Sequence, residues 1–248
     1  MITRARLQLV PRLRHPVTAI IATGGLAEVH ALARQAVRSV PGLVSAEFLT
    51  EDGLAVLAEH AGLLPPLPAP VCLLVEAAGP GALNDIAALI GDHDAVIGEA
   101  TADRRRLWAY RERLPEAAGF LGVPIKLDVS VPASKWVTLA STVADVVRGV
   151  DSDAVVITYG HVADGNVHVN IVPAGPADGR HEDAVFGYVT SLGGSISAEH
   201  GIGALKAQWL QLVRSDAERA LFTRIRSALD PSGTLNPHVL GQLLPRGG

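Results

Sequence analysis

At 248 residues, with 48% hydrophobic and 19% charged residues, the chain carries enough apolar content for a sizeable core and falls outside the disordered and highly charged classes. A balance of 21 basic against 25 acidic residues, net −4 and spread along the sequence, offers no field to gather nucleic acid or anionic lipid. The longest uncharged apolar run, 61–75, holds four prolines and is shorter than the roughly 20 residues of a membrane span.

In chain order, an alternating segment over 3–10 is followed by Pro11 and a short apolar strand over 17–22. The opening residues lack the apolar stretch and cleavage site of a secretion signal. A helix over 26–37, with Leu26, Val29, Leu32 and Ala33 on one face, precedes a strand over 44–49 and a second helix over 51–60. The Pro-rich loop 63–70 leads to a strand over 71–77, a helix over 83–90 and a strand over 95–98. Cys72, the single cysteine, lies in the third strand; it cannot close an internal disulfide, and it reads as a core residue of a cytosolic protein.

A basic helical segment from Thr101 opens the second half. Strands over 123–131, 154–162 and 167–172, helices over 134–150 and 181–192, and an extended piece over 194–198 follow. The fold class expected is therefore α+β, two fused ferredoxin-like βαββαβ units forming one large antiparallel sheet backed by helices. A single helix over 204–229, with Leu210, Val213, Leu221, Ile225 and Leu229 as its apolar positions, completes the described pattern and ends at Asp230-Pro231-Ser232-Gly233.

Two passages carry chemistry. In Tyr159-Gly160-His161-Val162-Ala163-Asp164-Gly165-Asn166-Val167-His168-Val169-Asn170 a turn-forming tetrad separates two β-rich runs. A loop at 163–166 would set Val162 opposite Val167 and His161 opposite His168, with Cβ atoms about 4.5–5.5 Å apart, so that both imidazoles reach one metal. Val167, Val169 and Ile171 then form an apolar row on the other face. The second passage, 193–203, holds Glu199-His200 between glycines. Adjacent side chains on extended backbone diverge, so the two divide labour: Glu199 completes a set of two histidines and one carboxylate with open coordination positions, and His200 stays free as a base. Taken alone, the histidines also fit an ordinary polar face, and Glu199-His200 fits the start of a helix.

The strings GHVADGNVHVNI (160–171), SAEHGIGALK (197–206) and LDPSGTLNP (229–237) together resemble the C-terminal catalytic region of FAD-linked oxidases similar to D-lactate and D-2-hydroxyglutarate dehydrogenases. Residues 107–112 and 125–132 are similar to two further stretches of that family, in the same order. The resemblance implies oxidation of a small 2-hydroxy acid, with hydride passing to FAD beside a divalent metal, zinc in the hydroxyglutarate branch. It assigns His161, His168 and Glu199 to the metal, His200 to the base, and Arg111, Lys126 and Asn166 to the substrate. Asn236 would approach the flavin. Two positions depart from the family: Pro115 stands where some relatives have a hydroxyl residue, and His238-Val239 stand where Gly-Lys is usual.

The same resemblance divides the chain into residues 1–11, similar to the last strand of a flavin-binding domain, a substrate and metal (cap) domain over 12–203, and a C-terminal helical segment over 204–248. A flavin domain on a partner chain, or one lost, is then required for turnover. The expected partners are a 2-hydroxy acid, that flavin domain and a second copy in a homo-oligomer, with no nucleic acid and no membrane span. Two other readings stay open: a non-catalytic metal- or hydroxy-acid-binding remnant or subunit, and a metal hydrolase using a zinc-bound water.

Overall fold

Seven apolar-rich segments, interrupted by amphipathic helices, become a seven-stranded antiparallel sheet in the computed structural model, which describes residues 3–9 and 14–239. The first unit comprises β1 (Pro16–Thr23), α1 (Leu26–Ser39), β2 (Leu43–Thr50), α2 (Glu51–Ala61), β3 (Val71–Ala78), α3 (Ala82–Ile90) and β4 (Ala95–Gly98). The long helix α4 (Thr101–Leu121) crosses to the second unit, β5 (Ile125–Ser130), α5 (Trp136–Arg148), β6 (Val155–His161), β7 (Asn166–Val172) and α6 (Arg180–Ser191). Strand order is β4-β1-β3-β2-β6-β7-β5. Two ferredoxin-like sheets thus join edge to edge through β2 and β6, where Glu47 faces His161, Phe48 faces Gly160 and Leu49 faces Tyr159.

The pleat sends alternate side chains to opposite faces, and each face has its own core. On one side α1, α3, α5 and α6 cover Ala19, Phe48, Leu73, Val129 and Val169, all in one cluster that runs through both units. Trp136 of α5 and Phe48 of β2, both fully buried, meet edge to face at 4.9 Å and weld the units together. On the other side α2 and α4 cover Ile20, Leu49, Cys72 and Leu74 of the first unit and Ile157 and Tyr159 next to it. Cys72 is the core residue expected, and burial pushes its thiol up to about 11.

Three expectations need correction. The eighth strand of the repeat shrinks to one bridge, Ser130 with Ser195, at the outer edge of β5. The strand expected over 123–131 starts only at Ile125, because Pro124 has no N–H to pair. The long terminal helix is two pieces, a 3-10 segment at Ala207–Leu212 and α7 at Asp216–Leu229. A capping box, in which Ser215 and Glu218 each bind the other's backbone N–H, starts α7 afresh and breaks the phase of the apolar positions. Leu210 is buried, whereas Leu221, Ile225 and Leu229 are exposed. Residues 3–9 are exposed and have no strand assignment; the rest of segment 1–11, and 240–248, lie outside the described residues.

Candidate metal and substrate site

Where α2 and α4 stop covering the sheet, its open face is polar. Lys126 and Asp128 of β5, His168 and Asn170 of β7, Tyr159 and His161 of β6, and Glu47 of β2 all belong to this side of the pleat. A cleft of about 400 Å³ lies over them, walled by Arg111 and Pro115 of α4 and by Glu199 and His200 of the segment that follows the Ser195 bridge.

The β6–β7 hairpin differs from the expected one. His168 pairs with Tyr159, not with His161, which lies opposite Glu47. The tetrad is too short a description of the turn: Val162–Asp164 forms a 3-10 turn, and Gly160 and Gly165 have φ of 151° and 74°. At Gly165 a Cβ would meet the Val131 carbonyl oxygen at 2.2 Å, and the Gly165 carbonyl accepts the Val131 N–H, so this turn docks on the end of β5. The longer turn still leaves the two imidazoles on one face, with ring centroids 5.4 Å apart.

One ligand atom each from His161, His168 and Glu199 lies within 4.8 Å of the others. Nε2 of His161 is 3.2 Å from Glu199 Oε1, while its Nδ1 is 2.7 Å from Oε1 of the buried Glu47. Nδ1 of His168 is 3.4 Å from Oδ1 of the buried Asp128. Each histidine therefore has a buried carboxylate near Nδ1, hydrogen-bonded at His161 and at ion-pair distance at His168, an arrangement that favours presenting Nε2 to an ion. Two imidazoles and a carboxylate suit a divalent ion such as zinc and leave coordination positions free. The donor set fits a metal. His200 lies outside that set, its ring stacked on His168 at 6.2 Å.

Charges on the site are arranged around these carboxylates. Burial works against ionisation of Glu47, but hydrogen bonds from His161, Ser45 and Arg111 outweigh it and hold the carboxyl below its ordinary value. The same bond to Glu47 raises His161. His168 is depressed to about 4, by burial first and the neighbouring Arg111 second, so its imidazole is neutral and able to ligate at pH 7. Arg111 donates Nε to Glu47 at 2.8 Å and lies 4.7 Å over the Tyr159 ring, which leaves the outer guanidinium nitrogens for an anion. Lys126, exposed, donates to the Pro115 carbonyl at 3.1 Å.

Two of the expected residues sit elsewhere. Asn166 is buried beneath the cleft, where its Nδ2 donates to Asp128 at 2.7 Å and its side-chain oxygen has no partner. Asn236, at φ 45°, lines a second cleft of about 350 Å³ with Phe222, Ile225, Leu229 and Leu235. The two clefts share no lining residue, so a molecule touching both Asn236 and the histidines has to span them. Glu47, Asp128, Tyr159 and Asn170 are the site residues that sequence reasoning passed over. The signal for the first two was a carboxylate at an outward strand position one residue from apolar neighbours, in Ala46-Glu47-Phe48 and Leu127-Asp128-Val129.

A family model described as "FAD linked oxidases, C-terminal domain" matches residues 12–240. The mitochondrial D-2-hydroxyglutarate dehydrogenase of Bos taurus is 31% identical over 97% of this chain and 46% of its own length, and that of Rattus norvegicus is 30% identical over 96% and 47%. A D-2-hydroxyglutarate–pyruvate transhydrogenase of Saccharomyces cerevisiae is 36% identical over 58% of the chain and 31% of its own. The chain thus spans about half the length of the first two, or less for the third. Among solved structures, 4-ethylphenol oxidase from Gulosibacter chungangensis aligns with a TM-score of 0.65 at 16% identity, covering 97% of this chain and 56% of that one. p-Cresol methylhydroxylase gives 0.64 at 15%, covering 94% and 54%. At these identities the structural matches support the fold alone.

Proposed function

This chain belongs to the C-terminal domains of FAD linked oxidases, and from that membership we propose that it is the substrate- and metal-binding half of an FAD-dependent D-2-hydroxy-acid dehydrogenase, acting with a flavin domain. The observation that carries the reading is the convergence of His161, His168 and Glu199 within 4.8 Å, beside two cations, in one cleft. The names of the relatives, D-2-hydroxyglutarate dehydrogenases, point to a dicarboxylate 2-hydroxy acid. Arg111 and Lys126 suit two carboxylates, the first as a planar fork and the second as a point charge.

When bound, a divalent ion, zinc by its match to the donor set, supplies Lewis acidity toward the substrate's hydroxyl and carboxylate oxygens, and FAD supplies the acceptor for the C2 hydride. His161, His168 and Glu199 hold the ion, and Glu47 and Asp128 keep the imidazoles turned toward it. Arg111, anchored through Nε, orients a carboxylate with its outer nitrogens. His200 takes the hydroxyl proton on a ring nitrogen as the hydride leaves C2, so the 2-hydroxy acid becomes a 2-oxo acid. Asn166 acts from below the cleft, and Asn236 contacts the flavin from the neighbouring one. A flavin-domain partner, a homo-oligomeric state and a cytosolic setting belong to the same proposal; no helix among the described residues is long and apolar enough to cross a membrane.

The test is elemental analysis followed by turnover in a complex reconstituted with a flavin domain. Close to one equivalent of zinc is expected, lost in His168→Ala. His200→Ala should keep the metal while turnover of D-2-hydroxyglutarate falls by about 10²–10⁴-fold, the usual loss for a missing base. Retained stoichiometry in His168→Ala removes the metal site, and metal loss in His200→Ala moves that residue into the coordination shell. Zinc binding without any hydroxy-acid-dependent flavin reduction would leave a binding subunit in place of an enzyme.

A further inference from the structure

We infer that Asp128 is the positioning residue of this site: its buried carboxylate pins the turn at Glu199-His200 to the sheet and so decides which of the two adjacent side chains meets the histidines. The inference rests on the metal reading of His161, His168 and Glu199 given above.

Asp128 stands in the middle of β5 with its side chain 2% exposed. Its Oδ2 accepts the backbone N–H of Glu199 at 2.7 Å and of His200 at 3.1 Å. Its Oδ1 accepts Nδ2 of Asn166 at 2.7 Å and lies 3.4 Å from Nδ1 of His168. An ionised carboxylate offers about four acceptor positions; three hydrogen-bond donors fill this one and the His168 ring lies beside it. Burial opposes its ionisation, but the N–H of Glu199, the Asn166 amide, the N–H of His200 and the His168 ring together hold it below the ordinary value.

The segment that carries Glu199 and His200 has little else to fix it. It follows the single Ser130–Ser195 bridge, its Ala198 N–H reaches the Asp128 carbonyl at 3.4 Å, and beyond it Gly201 and Gly203 take φ of 71° and 55°. Lys206 closes the far side, donating Nζ to the carbonyls of Ile196 at 2.8 Å and Asp128 at 3.4 Å. On straight extended backbone Glu199 and His200 would point apart. Two successive N–H groups converging on one oxygen bend the chain instead, in the manner of a backbone nest around an anion. The bend sends the Glu199 carboxylate to His161 at 3.2 Å and lays the His200 ring on His168. One carboxylate from β5 therefore sets His168, Glu199 and His200 together.

Asp128→Asn keeps the size but replaces one acceptor oxygen with an NH₂ group, which must face either the two backbone N–H groups or the Asn166 amide. Zinc affinity of the chain, measured by competition with a chelator, should fall about 10–100-fold, the usual loss for a residue that orients metal ligands. Hydrogen exchange followed by NMR should show the Glu199 and His200 amides slowed at least about tenfold below free-peptide rates in the native chain, and released in the variant. In a Glu199→Ala background the same substitution should weaken zinc far less, because the arm acting through Glu199 is already gone. Equal loss in both backgrounds, or native zinc affinity and native exchange in Asp128→Asn, overturns the inference. So do free-peptide exchange rates at Glu199 and His200 in the native chain, a measurement that holds even where the variant does not fold. A native chain that binds no zinc removes the metal reading, while the exchange rates still decide the role of Asp128.

Discussion

The two ferredoxin-like halves share one strand and helix order and use the same sheet face in opposite ways. In the first half that face is mostly apolar, with Ile20, Leu49, Cys72 and Leu74 sealed under Leu54, Leu57, Leu107 and Leu114 of α2 and α4. In the second it carries Lys126, Asp128, His168 and Asn170 and stays open as a cleft. The repeat supplies two equivalent platforms, and the two helices added outside it determine which becomes core and which becomes site. The division is not complete, because α4 lends Arg111 to the cleft and β2 lends Glu47.

The covered half is broken by making a hole in it. Leu74→Ala removes a fully buried side chain of β3 and should lower stability to urea by about 2–5 kcal/mol, with zinc stoichiometry unchanged; metal loss alongside it would deny that the halves have separate roles. A substitution at their joint should act the other way. Glu47→Gln leaves the shape of the first half intact and is expected to weaken zinc binding about 10–100-fold, since His161 loses its charged partner at Nδ1. Native affinity in that variant would cut the first half out of the site.

The smallest effect compares two histidines. His168 in the cleft is held down to about 4, whereas His93 of the first half is raised, by its bond to the Ile90 carbonyl first and to Glu28 second. Glu28, at 3.1 Å from His93, is itself lowered. A raised folded-state pKa means that the contribution of His93 to stability is complete below the ordinary histidine value, with Glu28 still ionised, and disappears as pH rises through the raised pKa. In an NMR titration His93 should titrate above a free histidine, and Glu28→Gln should bring it back toward that value. A His93 titration indifferent to Glu28→Gln would show the pair to be a surface contact without energetic weight.

Periodicity alone reveals most of the architecture, since each strand from β1 to β7 shows its buried face as a row of apolar residues. What it hid has physical reasons. Ser195 makes one bridge where four or more residues would make a strand, and nothing in Gly193-Gly194-Ser195-Ile196 distinguishes the two cases. Placing His161 opposite His168 assumed a short hairpin, and the positive φ of Gly160 with the 3-10 turn after it shifts the pairing by two residues on His161's strand. The three metal-ligand candidates were legible because imidazole pairs and Glu-His between glycines are uncommon, whereas Asp128 and Glu47 resemble any acidic residue on the wet side of a strand. Only the neighbours, Arg111 from α4 and the backbone of Glu199 and His200, make those two carboxylates special, and neighbours across more than sixty residues leave no local pattern.

The shrunken eighth strand also bears on how the chain behaves among copies of itself. Two separate ferredoxin-like sheets would present four open edges, each a template for pairing with a stranger's backbone. Joining β2 to β6 removes two of these. Of the remaining pair, β4 is only four residues long, and β5 is crossed by the Ser195 segment with Lys206 reaching across it. The same crossing that brings Glu199 and His200 over the sheet thus shields its outer margin, and loosening it would expose β5 to intermolecular strand addition as well as opening the site.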